Sequence, residues 1–113
     1  AGGVLVPLTD KLLVIDAVKS LGLKVILAAR GSLGTINHTL LSIEAIQKRG
    51  LEVAGVVFLD PGEIQTSREL LEENMEAVKQ FSGITVAGVI GHIRDFSDPG
   101  RDYMSVLDTM FHF

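Results

Sequence analysis

The sequence predicts an α/β domain in which a parallel sheet is flanked by helices. Short apolar runs alternate four times with longer segments of helical spacing, and strands that are separated by helical crossovers run parallel. Hydrophobic residues make up 47% of the 113 residues, and twelve glycines supply turns between aliphatic strands. We expect residues 1–113 to form a single domain, which at this length buries roughly two thirds of the surface that the unfolded chain exposes.

The first β-α unit is predicted from an apolar run at 2–7 and a helical pattern at 9–22. The run GGVLVP is typical of a buried strand. Thr9 or Asp10 is expected to cap the helix and Gly22 to end it. The apolar residues with helical spacing are Leu12, Ile15, Val18 and Leu21.

The second unit starts with KVILAA, residues 24–29, which is apolar throughout its middle. Such a run is expected where both faces of a sheet are covered. A helix follows from about Thr35 to Arg49, with Gly50 at its exit. Its predicted inward residues are Ile36, Leu40, Ile43 and Ile46.

The third and fourth units repeat this order. Strands are predicted at EVAGVVFL (52–59) and TVAGVI (85–90), and a helix between them at 61–81. A final helix is expected to start at Asp98 and Pro99. The predicted inward residues are Ile64, Leu71, Met75, Val78 and Phe81 in the third helix, and Tyr103, Val106, Leu107 and Met110 in the last.

Charge and composition exclude several classes of function. The net charge is -4, and no basic stripe is present that could follow a nucleic-acid backbone, so we expect no nucleic-acid partner. The longest apolar runs, such as 53–59, are too short to span a bilayer, so we expect no membrane association. The absence of cysteine excludes a thiol nucleophile and fits a reducing compartment, for which the cytoplasm is the expected location.

In a parallel sheet, ligands bind outside the carboxyl ends of the strands. The predicted loops at that edge follow Leu8, Ala29, Leu59 and Ile90. These four loops therefore contain the candidate functional residues.

The loop RGSLGTIN, residues 30–37, carries the clearest chemistry. A helix start offers unpaired backbone N–H groups and partial positive charge to an anion. Gly31 and Gly34 allow close approach of the backbone, Thr35 can cap the helix, and Asn37 can add a side-chain donor. The residues alone also allow an ordinary strand-to-helix turn whose polar groups satisfy only the helix, with His38 as a surface or packed residue.

Two later loops offer weaker candidates. Asp60 in FLDPGE could accept from a nucleobase or hold the water shell of a metal, or it could simply begin a turn. Gly91, His92 and Asp98 lie in GVIGHIRDFSDPG, which is equally compatible with a polar connection in which Asp98 caps a helix. The sequence contains no GxxxxGK[ST] motif and no zinc-ligand spacing.

Four segments together resemble the carboxyl-terminal half of the dethiobiotin synthetase family. They are AGGVLVPL at 1–8, KVILAAR at 24–30, LGTINHTLLSIEAI at 33–46 and RGLEVAGVV at 49–57. The resemblance implies part of a P-loop NTPase-like three-layer fold. It also implies an enzyme that forms the ureido ring of dethiobiotin from 7,8-diaminononanoate and CO2, using ATP and Mg²⁺, and that works as a homodimer.

The resemblance assigns the β-to-α turn at 33–37 to the substrate. In the family, this turn binds the carboxylate tail of the diamino acid across the dimer interface. The corresponding residues here are Leu33, Gly34, Thr35, Ile36 and Asn37.

The same resemblance assigns the nucleotide to other residues. Ala1 and Gly2 match a segment beside the phosphates and the metal, while Leu59 and Asp60 match adenine contacts. Leu59 replaces an asparagine of the family, which removes an amide that could pair with adenine. The loop under the adenine matches Gly91, His92 and Ile93, and Asp98 stands near an acidic ribose contact.

The chain begins at Ala1 without methionine, and the family's P-loop, catalytic lysine and metal-binding carboxylates correspond to positions upstream of it. We therefore expect a partial copy that does not catalyse alone, or a half that assembles with a second chain. Two other functions stay open: a non-catalytic regulatory or dimerisation module, and another P-loop relative such as a cobyrinate amidase or a partition-type ATPase. A partial sheet also predicts an exposed apolar edge and self-association.

Overall fold

The computed structural model describes residues 2–60, 66–98 and 100–113, and these form a parallel sheet with flanking helices. The predicted α/β class is therefore confirmed. The elements are α1 (Val14–Leu21), β1 (Val25–Arg30), α2 (Thr35–Lys48), β2 (Val53–Asp60), α3 (Arg68–Ser82), β3 (Val86–Gly91) and α4 (Arg101–Phe111).

The described strands lie in the order β1-β2-β3, and both pairs are parallel. The register pairs Arg30 with Leu59, and Asp60 with Gly91. The three strands therefore end at one edge of the sheet, as the alternation of strands and helices predicts.

One face of the sheet forms the main core with α2 and α3. Val56 and Phe58 of β2 are completely buried there, and Ile46 and Val78 pack against them from the two helices. Fully burying an aliphatic or aromatic side chain of this size contributes roughly 1.5–3 kcal/mol each. The predicted inward positions Ile43 and Ile46 of α2 are confirmed.

The opposite face is covered by α4, but only over β2 and β3. Side chains alternate along a strand, and on this face Gly55 and Gly88 have no side chain. Phe113 therefore packs directly against the backbone of Gly55, and Val106 against that of Gly88. The predicted burial of Val106 is confirmed, at 8% exposure.

The predicted double coverage of the second apolar run is wrong. Strand β1 alternates between sheltered and exposed residues, and Ile26 is 42% exposed. Ile26 pairs with Gly55 and therefore lies on the α4 face, where α4 contacts β2 and β3 rather than β1.

The predicted first strand at 2–7 does not form, so the described residues contain three β-α repeats rather than four. The carbonyl groups of Val4 and Val6 instead accept the N–H groups of Ile15 and Val14, at 3.0 and 2.9 Å. Pro7 has no N–H to offer a sheet and makes only an isolated antiparallel bridge with Leu13. Hydrogen bonding to the start of α1 thus replaces hydrogen bonding to a neighbouring strand.

The predicted bounds of two helices also need correction. Helix α1 begins at Val14 rather than near Thr9, and the predicted Gly22 end is confirmed by its left-handed conformation, with φ of 65°. Helix α4 begins at Arg101 after Gly100, so Asp98 is not its cap. Pro99 lies outside the described residues.

Helix α3 begins at Arg68, and the Ser67 hydroxyl accepts the N–H of Leu70 at 3.2 Å. Residues 61–65, including the predicted inward Ile64, lie outside the described ranges. Phe81 was predicted to point inward but is 73% exposed. The buried residues of α3 are Asn74 and Val78, and Phe81 follows them in the last turn of the helix, which ends at Ser82.

None of the described helices combines the length and apolarity that are needed to cross a bilayer.

Candidate functional site

The turn between β1 and α2 is fixed at Gly31 by three contacts. The N–H of Gly31 donates to the carbonyl of Leu59 at 3.0 Å, which extends the pairing of β1 with β2 by one residue. Its carbonyl accepts the side-chain amide of Asn74 at 3.0 Å. A Cβ atom at Gly31 would overlap the end of the Leu71 side chain, so glycine allows the close packing of this turn on α3.

Helix α2 begins without a side-chain cap. Its N-cap is Gly34, in the left-handed region with φ of 91°. The Thr35 N–H donates to Ser32 at 3.2 Å, whereas the N–H groups of Ile36 and Asn37 meet no acceptor within the described residues. The start of α2 therefore presents free donors and partial positive charge, which suit an anion.

The predicted capping role of Thr35 is wrong. Thr35 is the first helical residue, and its hydroxyl lies 3.2 Å from that of Thr39, with both side chains buried. No side chain of this turn therefore accepts a hydrogen bond from the first N–H groups of α2, as a capping side chain in an ordinary turn would. This observation favours the anion-binding interpretation of the turn.

An open groove of about 790 Å³ runs along β1 and reaches this turn. Gly2, Leu33 and Thr35 all line it, so one predicted nucleotide-side residue and two predicted substrate-side residues share this groove. Gly34, Ile36 and Asn37 belong to the same turn and helix but do not line the groove. Leu33 is 91% exposed at the turn.

Sequence reasoning missed four polar or charged residues of the groove, which are Arg30, Ser32, Thr39 and Ser42. Arg30 is the last residue of β1 and lines the groove next to the turn at 31–37. A charged residue that ends an apolar strand at the ligand-binding edge is a signal that could have found it. His38, which the sequence suggested only as a surface or packed residue, also lines the groove.

A second group of predicted residues meets at the ends of β2 and β3. Leu59 pairs with Ile90, and Asp60 with Gly91, so the predicted adenine contacts are adjacent. Leu59 is 38% exposed, and Asp60 is half-buried. His92 and Ile93 follow directly, whereas Ala1 lies outside the described residues.

Asp98 is exposed in the loop before α4, and its N–H donates to the carbonyl of Asp95. In the same loop, the Ser97 hydroxyl and then the Ser97 backbone N–H hydrogen-bond the Asp95 carboxylate and lower its pKa below the ordinary value of 3.8. Asp95 is therefore ionised at neutral pH. In the part of the chain that the structure describes, no group of three or more histidine, aspartate or glutamate side chains could hold a metal ion.

Comparison with known proteins identifies relatives that are named for biotin biosynthesis and dethiobiotin synthesis. Over 90 residues, which are 80% of this chain, it is 43% identical to an ATP-dependent dethiobiotin synthetase of Bacillus cereus and 44% identical to the biotin biosynthesis bifunctional protein BioCD of Bordetella avium. A Bacillus thuringiensis dethiobiotin synthetase is 42% identical over the same length. The matched region spans 36% of the Bacillus proteins and 18% of the Bordetella protein.

The family resemblance stated from the sequence is confirmed by these relatives. A family model described as an AAA domain matches residues 1–100, and the parallel sheet with flanking helices fits part of a P-loop NTPase-like fold. The chain therefore belongs to the AAA domain family.

Proposed function

We propose that the protein carrying this chain is an ATP-dependent dethiobiotin synthetase. It forms the ureido ring from 7,8-diaminononanoate and CO2 and consumes ATP in the process. The proposal is supported by the 43% identity to proteins of that name and by the uncapped start of α2 next to the groove.

The substrate part of the proposal concerns the turn at 33–37. The free N–H groups of Ile36 and Asn37 receive the substrate carboxylate, and the Asn37 amide adds a third donor. The guanidinium of Arg30 adds positive charge to the same region. The exposed Leu33 side chain is available for contact with the aliphatic chain of the substrate or with a second subunit.

We propose further that two copies assemble and that each turn serves the neighbouring active site. The side chain of Leu33 is 91% exposed and is therefore available for contact with the neighbouring copy.

The nucleotide part concerns the ends of β2 and β3. We propose that the adenine lies against Leu59, Asp60, Gly91, His92 and Ile93, with Asp98 toward the ribose and Gly2 toward the phosphates. The adjacency of Asp60 and Gly91 supports this grouping. Ala1 is assigned to the phosphate side by family resemblance alone.

The described residues do not fit a magnesium site, because no acidic cluster is present among them. The sequence also lacks a phosphate-binding GxxxxGK[ST] motif, and phosphoryl transfer requires such positioned charge. We therefore propose that residues 1–113 form one partial domain that is inactive alone, and that the charged groups that neutralise the phosphates and hold the metal come from outside this chain.

A test of the whole proposal uses labelled bicarbonate. The protein that carries this chain should incorporate the label into 7,8-diaminononanoate only when ATP is present, with dethiobiotin as the product. Nucleotide binding without any incorporation would instead support a non-catalytic module, which the substitution of Leu59 for the family's asparagine favours.

A test of the substrate site uses Asn37→Ala. Removing one hydrogen bond to a charged group should raise the KM for the diamino acid by about 10-fold or more, while the KM for ATP stays unchanged. Gln47→Ala is the matched control, because it removes a primary amide from the exposed last turn of the same helix. Equal loss for both ligands would contradict the assignment of Asn37.

A further inference from the structure

Asn74 is a polar residue in an apolar environment. It lies on the inward face of α3, one turn before the fully buried Val78, and is 5% exposed. Its side-chain Nδ2 donates to the carbonyl of Gly31 at 3.0 Å, across 43 residues of sequence. A buried amide costs free energy unless it is hydrogen-bonded, so this bond accounts for an asparagine at a core position.

The accepting carbonyl belongs to the residue that joins β1 to the anion-binding turn. Gly31 follows the last strand residue, Arg30, and is itself buried. Its N–H is held by Leu59, and its Cα packs against Leu71, so Asn74 supplies the third contact. Two of these three contacts, those of Leu71 and Asn74, come from α3, so α3 supports the turn.

We propose that Asn74 is a positioning residue for the turn at 31–37. By holding the Gly31 carbonyl, it sets where the turn leaves the sheet and therefore where the free N–H groups of Ile36 and Asn37 point. Asn74 does not touch the ligand. The identity of that ligand as the carboxylate of the diamino acid rests on the proposed function.

A merely structural role of Asn74 makes a different prediction from a positioning role. If Asn74 only fills the core, its replacement lowers stability in the same way as any core truncation on α3. If it positions the turn, its replacement weakens carboxylate binding selectively, because misplacing a binding group by about 1 Å costs up to roughly 100-fold.

The experiment compares Asn74→Leu with Val78→Ala in the protein that carries this chain. Asn74→Leu keeps the number and branching of the side-chain heavy atoms but removes the donor, whereas Val78→Ala truncates the core one turn further along the same helix. We expect Asn74→Leu to raise the KM for 7,8-diaminononanoate by roughly 10- to 100-fold and to leave the KM for ATP unchanged. Val78→Ala should change neither KM. If Asn74→Leu does not fold, Asn74→Ser is used, because its hydroxyl is too short to reach Gly31.

A second measurement does not depend on turnover. The backbone N–H groups of Gly31, Thr35 and His38 have acceptors in Leu59, Ser32 and Gly34 and are therefore protected from hydrogen exchange. Exchange at these three positions should be faster in Asn74→Leu than in Val78→Ala at matched global stability.

The outcomes separate the two proposals. If Asn37→Ala raises the KM for the diamino acid but Asn74→Leu behaves like Val78→Ala, the positioning role is wrong and the proposed function stands. If the wild-type protein forms no dethiobiotin, the proposed function is wrong. The positioning role of Asn74 is then tested by the hydrogen-exchange measurement only. Unchanged exchange at Gly31, Thr35 and His38 overturns it.

Discussion

At the scale of single residues, the hydroxyl groups of Thr35 and Thr39 form a buried pair at the start of α2. They lie 3.2 Å apart, at 5% and 3% exposure, on the side of the helix that lines the groove. Each hydroxyl is the polar partner of the other, so neither side chain is available as a helix cap. This pair explains how two polar residues occupy buried positions that hydrophobic spacing alone assigns to aliphatic side chains.

Breaking this pair is expected to cost stability. Thr39→Val leaves the Thr35 hydroxyl buried without its partner, and we expect a loss of about 1–3 kcal/mol in the free energy of unfolding, measured by urea denaturation. The double variant Thr35→Val/Thr39→Val should lose less than the sum of the two single variants, because both polar groups are then removed.

Thr109→Val is the control for this double-mutant cycle. Thr109 is exposed on α4, where its hydroxyl donates to the carbonyl of Ser105, and we expect a change within about 0.5 kcal/mol. Additive losses at Thr35 and Thr39 would show that the two hydroxyl groups are not coupled.

At the scale of elements, the start of α1 is determined by hydrogen bonds from Asp16 and from the segment at 4–6, and the capping residues that the sequence suggests do not determine it. The carboxylate of Asp16 accepts the N–H of Leu13 at 3.0 Å, and the carbonyls of Val4 and Val6 accept the next free N–H groups. The helix therefore begins at Val14, five residues after Thr9 and four after Asp10, which are the capping candidates of the sequence.

Two substitutions of the same type test this assignment. Asp16→Ala should lower the free energy of unfolding by about 0.5–2 kcal/mol, because it leaves the Leu13 N–H without its acceptor. Asp10→Ala removes the same charge from an exposed turn and should change it by less than about 0.5 kcal/mol. Equal losses in the two variants, measured by urea denaturation, would support a general charge effect in place of capping.

Sequence patterns predicted the elements whose burial follows a simple period. The strands at β2 and β3, the inward Ile43 and Ile46 of α2 and the exit glycine Gly22 all follow from spacing and turn chemistry. The composition of the run at 2–7 does not distinguish it from a strand. Its conformation depends on hydrogen bonds from the N–H groups of residues 14 and 15. Phe81 follows the apolar spacing of α3 but lies in the last turn, and helical spacing does not show that this turn leaves its side chain exposed.

The sequence likewise predicted one part of the candidate site, the turn at 31–37, but not the residue that supports it. The turn at 31–37 was recognisable from its glycines and from the helix that follows, and the structure places it at the predicted edge of the sheet. Asn74 was not recognisable, because it lies 43 residues away from the carbonyl that it binds. Local chemistry therefore indicated the turn, whereas the residue that supports it became visible only through tertiary contact.

At the scale of the whole molecule, β1 combines an open face with an open edge. The N–H groups of Val25 and Gly31 donate to the carbonyls of Glu52, just before β2, and of Leu59 in β2. The alternate residues Ile26, Ala28 and Arg30 therefore direct their backbone groups away from β2. Within the described ranges, no strand lies on that side. Unpaired backbone groups beside an exposed isoleucine are a template for association with another chain.

We therefore expect the isolated 12.1 kDa chain to self-associate through β1. Its weight-average mass in sedimentation experiments should rise with concentration, and Ile26→Lys should keep it at the mass of one chain, because a charged side chain on an edge strand opposes pairing. Leu21→Lys is the matched control, since Leu21 is 68% exposed on α1, away from the sheet, and it should leave association unchanged. Association of the Ile26→Lys variant at the wild-type level would mean that another surface brings the copies together, whereas suppression by both lysine variants would point to net charge. Only selective suppression at Ile26 links the association to the uncovered strand that also forms the wall of the groove.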